Sequence, residues 1–255
     1  NGLTFMNGTT LVTYNGSGLG TTDECTFEVT VDNIDPVTIT QTLNSIDNCK
    51  NYFVICISKS GKSEETLLLY KLLYQKFKQC DAKTKNNFLM ITQTNNNPLA
   101  TLAMQNNHQI IAHDPEIGGR FSYLSIVGIL IAEIANCNSQ EIHQAATDCL
   151  NNYLSSPNNK NIYCHTLATQ MLTNQLHANI LMSYNDSLLS FHTWFQQLWA
   201  ESLGKNNLGS IPISFSGTRD QHSQLQLYLA NPQGKTFSVI QFNKFQGKVV
   251  KGGKS

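Results

Sequence analysis

The 255-residue sequence has no surplus of either charge: 17 Lys plus Arg are balanced by 17 Asp plus Glu. Nucleic-acid binding draws on a basic excess, so no nucleic acid is expected and the partner is read as a small molecule. Long apolar runs are missing too. The longest, Ile126-Val127-Gly128-Ile129-Leu130-Ile131-Ala132, stops at Glu133, well short of the roughly 20 residues that cross a bilayer. It is read as a buried helix, and no membrane partner is expected. The seven cysteines (25, 49, 56, 80, 137, 149, 164) contain no CxxC pair. An odd number scattered through apolar segments reads as reduced thiols in a cytoplasmic protein without structural zinc. The opening Asn1-Gly2-Leu3 carries no basic-then-apolar leader, so no secretory signal is expected. The histidines lack HExxH-type spacing, so no metal site is assigned.

Tyr52-Phe53-Val54-Ile55-Cys56-Ile57 is an apolar run with β-branched members, suited to a strand buried on both faces. After the polar turn at 58–63, Ser63 is read as the N-cap of a helix that has Glu64 and Glu65 in its first turn. Strands are expected at 87–92 and 110–112, a short helix opening at Pro98, and one long apolar helix over 121–135. Upstream, strands at 10–14 and 27–31 flank a glycine turn at 15–20. Downstream, helices at 139–154 and 163–177 precede a strand at 178–184, helices at 187–202 and 220–229, and a strand at 236–241. Asn95-Asn96-Asn97 and Asn158-Asn159 are loops, because apolar periodicity continues on both sides.

This alternation predicts an α/β fold, doubly wound, with largely parallel sheets and two domains, 1–136 and 137–255. Ligands in such folds bind beyond the carboxyl ends of strands, where the turns at 15–20 and 58–63 are expected.

Ser58-Lys59-Ser60-Gly61-Lys62-Ser63 gathers hydroxyls, cations and a glycine at a strand-to-helix turn. Backbone N–H groups and the positive helix end make it a phosphate cradle; a turn that only caps a helix is the alternative. It is no nucleotide P-loop, because the position that needs the first glycine is Cys56. Gly16, Gly18 and Gly20 miss the dinucleotide spacing by one residue, which leaves a tight turn or a phosphate contact. Arg120 stands behind Gly118-Gly119 at a helix start, where a bound anion or developing oxyanion would explain a cation that the helix dipole disfavours. Glu201 ends the amphipathic segment 191–200, and His222 follows Gly217-Thr218-Arg219-Asp220-Gln221; alone, each reads as a surface or capping residue.

In order along the chain, the segments at 15–20, 32–36, 58–66, 118–122, 199–205 and 217–227 resemble phosphoglucose isomerases. Trp199-Ala200-Glu201-Ser202-Leu203-Gly204-Lys205 and Gly217-Thr218-Arg219-Asp220-Gln221-His222-Ser223 are similar to that family's two signature regions. The resemblance implies two sugar-isomerase (SIS-type) domains, the second incomplete. It also implies a homodimer with active sites at the subunit interface, no cofactor and no metal. The implied reaction interconverts glucose 6-phosphate and fructose 6-phosphate through a cis-enediol. On the same resemblance Ser58, Lys59, Ser60 and Ser63 hold the phosphate, Gly16 and Ser17 lie near the sugar, and Gln197 binds substrate. Glu201 is the base, Arg120 stabilises the enediolate, and His222 assists ring opening. Departures are Ser60 and Ser63 where the family has threonine, Leu203 where it often has asparagine, and no match to its downstream lysine-bearing segment. The alternatives are a decayed, non-catalytic sugar-phosphate-binding protein of the same fold and an amino-sugar phosphate isomerase.

Overall fold

The computed structural model of the chain describes residues 9–13, 27–28, 34–49, 52–80, 86–155, 162–173 and 175–241. Two compact units are present, Leu3–Lys160 and Asn161–Ser255.

The first unit holds β1 (Thr9–Thr13), β2 (Phe27–Glu28), β3 (Tyr52–Ile57), β4 (Phe88–Thr92) and β5 (Gln109–Ala112) in one sheet ordered β2-β1-β3-β4-β5. Strands β3, β4 and β5 are parallel. All of β4 and the last four residues of β3 are buried, as their unbroken apolar runs require. Side chains alternate between faces. Val54 and Cys56 pack with Tyr70, Leu73 and Phe77 of α2 (Glu64–Gln79) and with Leu99 and Ala103 of α3 (Pro98–Gln105). Ile55 and Ile57 pack on the opposite side with Val127, Leu130 and Ile131 of α4 (Ile126–Ile134). Helices therefore cover both faces, the doubly wound arrangement expected from the sequence. Phe77 and Phe88 are fully buried in edge-to-face contact, each stabilising the unit by about 2 kcal/mol.

Four expectations change in this unit. The strand at β1 runs antiparallel to β3, so Thr13 at its carboxyl end pairs with Tyr52 at the start of β3. It does not end on the edge where the 58–63 turn begins, and the 15–20 turn lies outside the described residues. The single helix expected over 121–135 is two elements, a 3-10 helix Gly119–Leu124 and then α4, broken at Ser125, whose hydroxyl caps Val127 N–H. At this break a Cβ on Gly128 would lie 2.0 Å from the Tyr123 carbonyl oxygen, so only glycine lets the two elements approach this closely. Cys49 and Cys80, read as thiols, are joined in a disulfide with their Cα atoms 6.1 Å apart, inside the usual span. Finally, the helix expected at 139–154, α5 (Ser139–Ser155), belongs with the first unit, whereas the sequence reading opens the second domain at 137. Between β2 and β3 lies α1 (Pro36–Ser45), capped by Asp35.

The second unit begins with α6 (Ile162–Leu172) and holds three parallel strands, β6 (Ala178–Ser183), β7 (Ile211–Ser216) and β8 (Lys235–Ile240), ordered β7-β6-β8. Ala178, Ile180 and Met182 pack with Phe215 and with Leu225 and Tyr228 of α9 (Leu225–Ala230). The other face of the sheet meets α7 (Leu189–Leu203), where His192 is wholly buried against Ser214. The single helix expected at 220–229 is α8 (Gly217–Ser223) followed by α9, interrupted at Gln224. No helix of the described residues is long and apolar enough to cross a membrane.

Candidate active site

The carboxyl edge of β3 feeds directly into the hydroxyl-rich turn. Ser58 is buried, its N–H donating to the Ile91 carbonyl at 3.0 Å. Its hydroxyl lies 3.0 Å from that of Ser63. Ser63 occupies the N-cap position but makes no side-chain cap bond; its hydroxyl turns to Ser58 and stays on the inside of the turn. The Ser60 hydroxyl accepts Lys62 N–H at 3.2 Å, and Gly61 takes a left-handed φ of 64° that L side chains rarely adopt. The four predicted phosphate-binding residues Ser58, Lys59, Ser60 and Ser63 thus fall on one ordered turn at the mouth of α2. A groove lined by Leu67, Lys71, Asn96, Pro98 and Thr101 opens nearby and contains none of them.

Arg120 lies in the first turn of the 3-10 helix, its guanidinium 4.6 Å from the centre of the Phe121 ring. A ladder of contacts ties its segment to the phosphate-turn candidate. The Lys59 carbonyl accepts Gln93 N–H at 3.1 Å and the Thr92 hydroxyl at 3.3 Å. The Thr92 carbonyl accepts His113 N–H at 2.8 Å, and the His113 ring reaches Ser122 on the 3-10 helix at 3.2 Å. Gly16 and Ser17, the sugar-side candidates, lie outside the described residues.

In the second unit Gln197 and Glu201 sit one turn apart on α7, and the Gln197 amide donates to Glu201 Oε1 at 3.0 Å. The opposite side of α7 is fastened along β7. His192 Nδ1 and Ser214 Oγ are 2.9 Å apart, Gln196 Nε2 donates to the Pro212 carbonyl at 3.3 Å, and Trp199 Nε1 donates to Ser210 Oγ at 3.1 Å. Those bonds fix the rotation of the helix and leave the Glu201 carboxylate exposed.

His222 is exposed in the last turn of α8 rather than at a helix start. The α8 turn is pinned by Asp220, a buried carboxylate that accepts Ser216 N–H at 2.7 Å and grips Arg219 through Nε at 2.9 Å and a terminal nitrogen at 3.1 Å. The Arg219 hydrogen bond, and then the Ser216 N–H, hold the Asp220 carboxyl below the usual carboxylate range. Tyr184, just past β6, lays its ring on Gly217 and donates its hydroxyl to Gln221 Oε1 at 2.8 Å. Sequence reasoning gave no role to Asp220, Tyr184 or His113. The only signal for Asp220 was an acid in the first turn of a helix; for Tyr184 and His113 there was none.

Burial pushes the His192 imidazole below its usual pKa; a second N–H would be buried at Nε2, which has no hydrogen-bond partner among the described residues. The unfolded chain therefore binds more protons below about pH 6.5, the unperturbed histidine value, so this contribution to stability is full above that pH and is lost as pH falls. The melting temperature of the parent should drop between pH 7 and 5 more steeply than that of His192→Gln. Parallel profiles would remove His192 as a source of acid sensitivity.

Among the described residues no three His, Cys, Asp or Glu side chains are grouped to hold a metal ion.

A family profile described as phosphoglucose isomerase matches residues 11–242. The chain is 34% identical to a probable glucose-6-phosphate isomerase of Haloquadratum walsbyi, over 82% of this chain and 49% of that protein. It therefore spans about half the length of the curated relatives it matches. Among solved structures, a hypothetical protein of Thermus thermophilus superposes with a TM-score of 0.74 at 26% identity, covering 84% of this chain and 55% of that one. A glucose-6-phosphate isomerase of Chlamydia trachomatis gives a TM-score of 0.66 at 22% identity, covering 77% of this chain and 40% of its own, a likeness of fold.

Proposed function

Since the chain belongs to the phosphoglucose isomerase family, we propose that it interconverts glucose 6-phosphate and fructose 6-phosphate. What carries the reading is that the family match, residues 11–242, includes both the hydroxyl-rich turn at 58–63 and the paired Gln197 and Glu201.

Each residue takes a role its environment suits. In the first unit the hydroxyls of Ser58, Ser60 and Ser63, with the Lys59 cation, hold the phosphate at the mouth of α2, where helix N–H groups favour an anion. Arg120 supplies a fixed positive charge for the oxygen that becomes negative as the enediolate forms. In the second unit the Glu201 carboxylate takes the proton from C2 of the open aldose and returns it to C1. The carbon–hydrogen electron pair forms the C1–C2 double bond and the C1 carbonyl oxygen becomes the enediolate oxygen; a proton then passes from O2 to O1, and as the C2 carbonyl forms, the double-bond pair takes the proton back from Glu201 at C1. The Gln197 amide, already donating to Glu201, orients that carboxylate and meets the substrate, and His222 moves the ring-oxygen proton when the cyclic sugar opens. The proposal includes two SIS-type domains, a homodimer and a cytoplasmic location. The Cys49–Cys80 bridge runs against that last point, because such bridges are rare in a reducing compartment.

A coupled assay for conversion of fructose 6-phosphate to glucose 6-phosphate tests the reaction; no product above background would refute it. The phosphate site has its own test. Bound only to the folded chain, 6-phosphogluconate should raise the melting temperature, and replacing both Ser58 and Ser60 with Ala should abolish the rise. A double variant stabilised as well as the parent would move the phosphate elsewhere.

A further inference from the structure

His113 directly follows β5 and is buried, with 3% of its surface exposed. Its ring is held at both nitrogens. Nδ1 is 2.8 Å from the Asp114 carbonyl oxygen, which can only accept, so Nδ1 carries a proton and donates it. Nε2 is 3.2 Å from the Ser122 hydroxyl, which is also buried. With Nδ1 the donor, Nε2 of the neutral ring accepts the Ser122 hydroxyl proton, which the Gly118 carbonyl at 3.2 Å shares; the Ser122 carbonyl accepts the Ser125 hydroxyl at 2.7 Å and the Ser125 N–H at 3.0 Å. Gly118 caps the 3-10 helix and Ser125 closes it. The imidazole therefore grips the short helix at its middle, two residues beyond Arg120. The His113 main chain is bonded to Thr92, and Thr92 to the Lys59 carbonyl of the turn.

A 3-10 helix of six residues, flanked by Gly118 and separated from α4 by the Ser125 turn, has little rigidity of its own. Phe121, Tyr123 and Leu124 on it are exposed, whereas Ser122 is buried against His113. The His113–Ser122 bond ties the buried side of the helix to the strand edge.

We infer that His113 is a positioning residue for Arg120: it fixes the 3-10 helix at the carboxyl edge of the sheet, so that the guanidinium is set relative to the 58–63 turn before ligand arrives. The inference rests on the proposed roles of that turn and of Arg120. Preset donors of this kind act on charge without reorganising as it develops.

The test uses two ligands that share a phosphate and a carbon chain. 6-Phosphogluconate carries a carboxylate at C1, and sorbitol 6-phosphate carries an alcohol there. In the parent the acid should bind about tenfold more tightly, the size of a charge-assisted contact with arginine. Arg120→Ala removes that ratio and sets the floor. His113→Ala should bring the ratio close to the same floor while sorbitol 6-phosphate affinity stays within about twofold. His113→Gln, whose amide can reach Ser122, should keep most of the ratio, and Ser122→Ala should behave like His113→Ala without adding to it. A ratio unchanged in His113→Ala, equal losses for both ligands, or His113→Gln as poor as His113→Ala would each overturn the positioning role. If the parent binds neither ligand, the phosphate reading falls and the inference with it. Equal binding of both by the parent would instead remove Arg120 as the anion partner, and with it anything for His113 to position.

Discussion

If the proposed reaction holds, Glu201→Gln should lower turnover of fructose 6-phosphate by about a hundredfold or more and leave its binding nearly unchanged, the signature of losing a general base. The substitution suits the local structure: Glu201 Oε1 accepts the Gln197 amide at 3.0 Å, and a glutamine side-chain oxygen can accept the same bond. The fastening of α7 to β7 through His192, Gln196 and Trp199 is untouched. A fall in kcat with an unchanged melting temperature and an unchanged inhibition constant for 6-phosphogluconate therefore isolates the chemistry. Parental turnover would strip Glu201 of its role as base.

Gly61→Ala has the largest expected effect on stability. The left-handed φ of 64° penalises any side chain, by about 1–2 kcal/mol. The new Cβ would stand 1.8 Å from Asn97 Oδ1, the oxygen that caps α3 by accepting Ala100 N–H at 2.9 Å. Displacing that buried cap costs about 1 kcal/mol more, for a total loss of about 2–3 kcal/mol. Urea unfolding would measure it, with Asn97→Asp as a control that keeps the capping oxygen and loses the amide's bonds to Gln93 and Asn95. The same variant should lose stabilisation by 6-phosphogluconate, because the 58–63 turn cannot keep its path. A loss under about 1 kcal/mol would mean that the backbone there relaxes without strain.

The legible parts of the fold were those written in local pattern. Strands β3 and β4 are fully apolar runs, and the turn at 58–63 announces itself by its hydroxyls, glycine and position between strand and helix. The direction of β1 is set by its partner, and nothing in Thr10-Leu11-Val12-Thr13 distinguishes parallel from antiparallel pairing. The break at Ser125 was hidden because apolar residues continue across it; Gly128 was the only trace, explained once the Tyr123 carbonyl is seen against it. The Cys49–Cys80 pairing could not be read from spacing, since connectivity depends on which chain ends the fold brings together. At the candidate site, the residues proposed to meet substrate were found as motifs, whereas His113 and Tyr184 act through side-chain bonds to Ser122 and Gln221 that only the fold brings within reach, and Asp220 through bonds to Ser216 and Arg219 that a helix-start acid does not announce.

The order β7-β6-β8 has a bearing on synthesis at the ribosome. The central strand β6 is flanked by two strands that follow it, and Ala178 pairs with both Ile211 and Lys235. As the chain emerges, β6 can acquire its β7 neighbour early, but its other edge stays open until Lys235–Ile240 has cleared the exit tunnel. During that interval a nascent strand reading Ala-Asn-Ile-Leu-Met-Ser offers unpaired backbone groups to any passing chain. Slowing translation between β7 and β8 should therefore favour aggregation of the second unit over its completion.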